Sequence, residues 1–123
     1  MIEFDWHDYL VLARELAGRD DEAARHSAVS RAYYAAFSLA RQWLEREGTA
    51  LDADGSIHAQ VWEAFRSSPD DISYYIGIDG NSLRNYRNLA DYESEVANLD
   101  KRVRQAIRKA ENVINSVGRL STT

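Results

Sequence analysis

Two arginines, an asparagine and an aspartate stand close together at Arg84, Arg87, Asn88 and Asp91. Wound as a helix at about 100° per residue, the stretch LRNYRNLADYESE (Leu83 to Glu95) brings these four and Glu95 within about 100° of one another. Leu83, Tyr86, Leu89 and Ala90 fall together on the other side, which predicts a core face there. Guanidinium forks match the planar geometry of phosphate and carboxylate. Arg84, Arg87 and Asn88 are therefore the candidates for holding a nucleotide or an RNA backbone. A plainer reading stands beside this one: Arg87 and Asp91 are four apart, the spacing of a surface ion pair worth about 0.3–0.5 kcal/mol.

If the stretch does chemistry, the candidate catalytic groups are Arg87, Asp91 and Tyr92. Tyrosine and aspartate titrate near 10 and 3.9, far from the imidazole value of about 6.5 that suits proton transfer at neutral pH. The chain has three histidines, His7, His26 and His58. His26 borders an apolar arc and reads as a packed or half-exposed side chain. His58 opens a predicted helix, and in a bundle it could approach Arg87. No pair of histidines or carboxylates has metal-ligand spacing and Glu-x-x-His is absent, so neither a metal site nor a cofactor is expected. Tyr33, Tyr34 and Trp43 have faces that could stack on bases. At helical spacing such aromatics are more commonly core or interface, and Tyr34 lies farthest from the centre of the apolar arc.

The element that must position this stretch is the helix containing VSRAYYAAFSLARQWL, Val29 to Leu44. Its apolar residues cover an arc of about 200°, twice the width a surface helix needs. Such a helix is touched on at least two sides, and its alanines let neighbours come close. It is predicted from Asp20 or Asp21 to Glu47, stopped by Gly48. Before it, Asp5 caps a helix over Trp6 to Ala17 that Gly18 ends. After it, Ser56 caps a third helix closed by Ser68-Pro69-Asp70. Ile72 to Ile78 reads as a short helix or packed loop, Asp79-Gly80-Asn81 as a turn, and Ser82 to Glu95 as a fourth helix capped by Asn81. The last helix runs from Asn98 to Val117, with Gly118 as its stop and Ser121 to Thr123 frayed. Its inner face is Leu99, Val103, Ala106, Ile107, Ala110, Val113, Ile114 and Val117. The expected fold is an all-α, antiparallel up-and-down helical bundle of about five helices, one domain over residues 1–123.

With 123 residues, 45% hydrophobic and 28% charged, the chain has the balance of a globular domain. It has no cysteine, which leaves out disulfides and thiolate metal sites. No run approaches the roughly 18 apolar residues of a membrane span, and MIEFDWHDYL is not a signal sequence. A cytoplasmic protein without a membrane partner is expected. Charge is uneven: residues 1–83 carry 7 basic and 15 acidic side chains, residues 84–123 carry 8 and 5. A locally positive C-terminal part can serve an anionic partner although the whole is acidic.

Taken together, SRAYYAAFSLARQWL, then LRNYRNLADYES about forty residues later, then a long final helix, resemble the HEPN family. These are small helical proteins often found beside a minimal nucleotidyltransferase, and some are ribonuclease toxins. The resemblance is strongest to a branch whose motif ends in Ala-Asp-Tyr. It implies a HEPN-like bundle, a homodimer whose motif helices face each other across a shared cleft, and a nucleotidyltransferase, an RNA or a nucleotide as partner. The family's ribonucleases place a histidine four to six residues beyond a motif arginine. Here those positions are Tyr92, Glu93 and Ser94 after Arg87, and Leu89, Ala90 and Asp91 after Arg84. Arg87 and Asn88 match the motif and the histidine does not. The resemblance therefore implies a binding component of a toxin–antitoxin-like system without the standard nuclease chemistry. The alternatives are a metal-independent endoribonuclease toxin using Arg87 with Asp91, Tyr92 or a remote histidine, and a purely structural interaction module.

Overall fold

The computed structural model describes residues 3–122. Met1, Ile2 and Thr123, the last of which was expected to fray, lie outside the described residues. Five helices form an all-α bundle: α1 (His7–Ala17), α2 (Glu22–Arg46), α3 (Ile57–Arg66), α4 (Asp71–Tyr92) and α5 (Leu99–Ser121). No strand occurs among the described residues.

α2 is the central post, packed against all four other helices. Its alanines explain how. Ala28, Ala32, Ala35, Ala36 and Ala40 are fully buried, so backbones approach it from several directions without large side chains between them. Between these positions Val29, Tyr33, Phe37 and Leu44 fill the remaining core volume. α5 supplies Val103, Ala106, Ala110, Val113 and Val117, while its Leu99, Ile107 and Ile114 are half-buried at the margin. Two ion pairs tie α1 and α2 to α5: Arg14 with Glu111 at 2.9 Å, and Arg25 with Asp100 at 2.7 Å.

Three helix starts carry a side-chain cap, Asp21 and Ser56 as expected and Asp70 in place of Asn81, which lies inside α4. Asp21 Oδ1 accepts the Ala24 N–H at 2.7 Å, Ser56 Oγ that of Ala59 at 3.3 Å, and Asp70 Oδ2 that of Ser73 at 2.8 Å. Each satisfies one of the amides that a helix N-terminus leaves without a partner. Asp5 does the same for the His7 N–H at 3.0 Å. α2 ends as expected at Gly48, whose φ of 82° lets the Thr49 N–H return to the Leu44 carbonyl at 2.9 Å. Removing the cap on the central helix should be felt. Asp21→Ala is expected to cost about 1 kcal/mol, read as a lower urea midpoint at unchanged slope.

Three boundaries differ from the sequence reading. Asp79-Gly80-Asn81 is not a turn, and Ile72–Ile78 is not separate: both belong to one 22-residue helix, α4. Gly77 and Gly80 are there for close approach. A Cβ at Gly80 would overlap the indole of Trp62, and one at Gly77 would come within 2.7 Å of the Trp62 carbonyl oxygen. The two glycines thus form a flat strip on which α3 lies. α4 also stops at Tyr92, so Glu95 is outside it. α5 runs through Gly118 to Ser121, because an open position without neighbours within 4 Å gives a helical glycine no reason to break.

No helix among the described residues is long and apolar enough to cross a membrane.

Candidate functional site

The C-terminal half of α4 lies along α2, and this contact holds the candidate residues. Arg87 was expected to point outward, but it is only 7% exposed. A wheel drawn for a surface helix assumes one packed side. α4 has α2, α3 and α5 around it, so its polar side also meets a neighbour. Leu89, expected in the core, is correspondingly turned out and 39% exposed.

The Arg87 guanidinium is surrounded by tyrosines. Its carbon lies 5.2 Å from the ring centre of Tyr33, 5.4 Å from Tyr34 and 6.0 Å from Tyr92. These are cation–π distances. Its nearest carboxylate is Asp91, with Nη1 to Oδ2 at 3.6 Å, beyond hydrogen-bond length. Asp91 receives a long hydrogen bond of 3.4 Å from the Ser30 hydroxyl on α2. Among the described residues, neither Arg87 Nε nor Arg84 Nε, both buried, has a hydrogen-bond partner. Arg84 has no ion pair among the described residues. Positive charge on this face is therefore only partly met by the protein itself.

α2 and α4 are pinned at this point by His26. Its Nδ1–H donates to the carbonyl of Ala90, one of the acceptors that the end of α4 leaves open. This fixes His26 as a packing residue, in line with its place beside the apolar arc.

His58 is the histidine that tertiary structure carries to the site. It begins α3, and its ring stacks on Phe37 at 4.1 Å and on Tyr33 at 5.5 Å. Trp62 Nε1–H donates to the Tyr33 oxygen at 3.1 Å, and the Tyr33 hydroxyl donates to His58 Nδ1 at 2.6 Å. Burial pushes the Tyr33 hydroxyl up to about 12, so it keeps its proton. His58, with Nδ1 accepting, carries its proton on Nε2. Burial first, and then the charges of Arg87, Arg84 and Arg41, push His58 down to about 4. The imidazole is thus neutral at pH 7 and faces an electropositive cluster.

This depression has a consequence for stability. Between its unfolded value near 6.5 and its folded value of about 4, His58 binds more protons in the unfolded chain than in the folded one. Its contribution is complete above about pH 7 and is lost as pH falls through that window. The urea midpoint should therefore decline from pH 7 to pH 5, before most carboxylates titrate, and the His58 ring signals should show no protonation over that range.

The remaining candidates fall into place around this cluster. Tyr92 is 73% exposed and forms the outer side of the Arg87 cage. Asn88 is half-buried one residue beyond Arg87. Tyr34 is half-buried between Arg31 and Arg87, with 5.5 Å and 5.4 Å to its ring centre. Trp43 is not part of the site; it packs against Phe65 at 5.6 Å. His7 pairs with Asp5 on the surface. Among the described residues there is no group of three or more His, Cys, Asp or Glu side chains that could hold a metal ion. The sequence reading missed Tyr33, Trp62 and His58 as a unit. The available signal was the spacing of His58 and Trp62, four apart and so on one face of α3.

No family model, no curated protein and no solved structure matches the chain.

Proposed function

We propose that the chain is a HEPN-like binding component that grips a phosphate-bearing ligand, RNA or a nucleotide, through Arg84 and Arg87, without the usual nuclease chemistry of that family. The observation that carries this reading is the buried Arg87 guanidinium, which among the described residues has no acceptor on Nε and, as carboxylate contact, a 3.6 Å approach to Asp91. A charge removed from water at a cost of several kcal/mol, and paired no better than this, is a poor stabiliser of the fold. An anion at the site would supply the missing acceptors. Tyr92, exposed, lies over the guanidinium at 6.0 Å, so a ligand enters by displacing a side chain that already meets solvent. The exposed Tyr92 also suits the facing surface of a second copy in a homodimer. By its resemblance the protein belongs to a toxin–antitoxin-like system, with a minimal nucleotidyltransferase as a partner.

A second reading is favoured by one specific feature, the neutral His58 in the field of Arg84 and Arg87. Here the remote imidazole replaces the absent motif histidine and the protein is a metal-independent ribonuclease. One experiment separates the two. Purified protein is incubated with tRNA in EDTA and, in parallel, titrated with labelled tRNA and with a nucleoside triphosphate. Binding without cleavage, weakened at least tenfold in Arg87→Met, is the expected result. Cleavage lost in both Arg87→Met and His58→Ala would replace the first reading by the second. Binding indifferent to Arg87→Met would remove the site from both.

A further inference from the structure

The outward side of α5 carries an excess of cations that no carboxylate pairs among the described residues. Lys101, Arg104, Arg108 and Arg119 lie on the side of α5 opposite its buried valines and alanines, and Arg102 and Lys109 lie at its edge, over the Tyr86 ring. The other residues along this face are Gln105, Asn112, Asn115 and Ser116, hydrogen-bonding groups without charge. The two carboxylates of α5, Asp100 and Glu111, are turned aside and occupied by Arg25 and Arg14. None of the six cations has an ion pair among the described residues. At the standard rise the face extends about 27 Å, in a protein whose formal net charge is −5.

We infer that this α5 face is a docking surface for the phosphate backbone of a nucleic-acid duplex, held without regard to sequence. Three features select that partner. Protein interfaces have a charge-poor, apolar centre, whereas the centre here is Lys101, Arg104, Gln105 and Arg108 around a groove of about 310 Å³. Binding to a phosphate backbone, by contrast, is driven by cations that release counterions. Single strands need aromatic platforms for stacking. Tyr86, the aromatic of α4 at the edge of this face, is half-buried, covered by Arg102 at 5.0 Å and Lys109 at 6.0 Å, and donates to Gln105 at 3.2 Å. A duplex keeps its bases inside and asks for no such platform. The apolar side of α5 is spent in the core, so the helix has nothing to insert into a lipid surface.

The inference is independent of the Arg84–Arg87 site, and its test keeps them apart. Wild type, Arg104→Glu/Arg108→Glu and the control Arg66→Glu are titrated by anisotropy with a 20-bp RNA duplex, a 20-bp DNA duplex and a 20-nucleotide single strand, at 50 to 200 mM salt. Both altered α5 positions are exposed, and circular dichroism checks the fold. Wild type is expected to bind both duplexes more tightly than the single strand, with affinity falling steeply in salt. The double charge reversal is expected to weaken duplex binding more than tenfold and to flatten the salt slope by about two, while Arg66→Glu, exposed on α3, which makes no contact with α5, leaves the slope unchanged. Absence of duplex binding at 50 mM salt would overturn the inference. So would an unchanged slope in the double variant, or equal binding to anionic vesicles or polyglutamate. Self-association abolished by the charge reversal, without duplex binding, would reassign the face to a second copy.

Discussion

Arg87→Met is expected to raise stability slightly while removing the proposed ligand site. Methionine keeps most of the volume and the flexible stem that packs among Tyr33, Tyr34 and Tyr92. It removes a charge whose burial costs several kcal/mol and whose partner Asp91 is 3.6 Å away. Against this stands the loss of the cation–π contacts, about 2 kcal/mol for a desolvated cation. Asp91 keeps 28% of its side-chain exposure and can be rehydrated, so leaving it alone adds little. The balance is a gain of about 1 kcal/mol, read from the urea midpoint. In the same variant, hydrogen bonds to an anionic ligand worth about 1.5–3 kcal/mol are lost, a weakening of roughly 10- to 100-fold. One of the charges depressing His58 is also gone, so its pKa moves up from about 4 but stays below its ordinary value, because burial is the larger cause. A destabilised Arg87→Met protein would show instead that the guanidinium is a structural clamp, and would count against the site.

Gly80→Ala is the substitution expected to damage the fold most for the smallest change. In an open helix it would gain about 1 kcal/mol of propensity. Here the new methyl would occupy the place of the Trp62 indole, which is 1% exposed and cannot swing aside. Inserted methyl groups in packed cores cost about 1–3 kcal/mol and sometimes more; a rigid, buried ring puts this position at the upper end. A net loss of about 2 kcal/mol is expected. The damage also reaches the site, because Trp62 holds the Tyr33 hydroxyl that holds His58. Gly118→Ala, in open space on α5, is the control and is expected to stabilise by about 1 kcal/mol. Equal urea midpoints for the two variants would refute the close-approach account of Gly80.

What could be read from the residues alone was whatever depends on local spacing. The width of the apolar arc on Val29 to Leu44 made α2 the centre. Asp21, Ser56 and Gly48 marked its ends and the start of α3, because caps act within a turn of where they stand. The pairing of Arg87 with Asp91 and the all-α class followed from the same periodicity. What local spacing leaves open is which neighbour a side chain meets. Gly80 reads as a turn in sequence and is a landing strip for Trp62 in the fold, since both uses need the missing Cβ. Arg87 reads as solvated on a wheel and is buried, because α4 has packed helices on three sides. His58 reaches the arginines through the folding of α3 onto α2 and α4, across more than twenty residues of chain. Burial, and with it the charge state of this cluster, is a property of that packing, so the tertiary structure alone decided it.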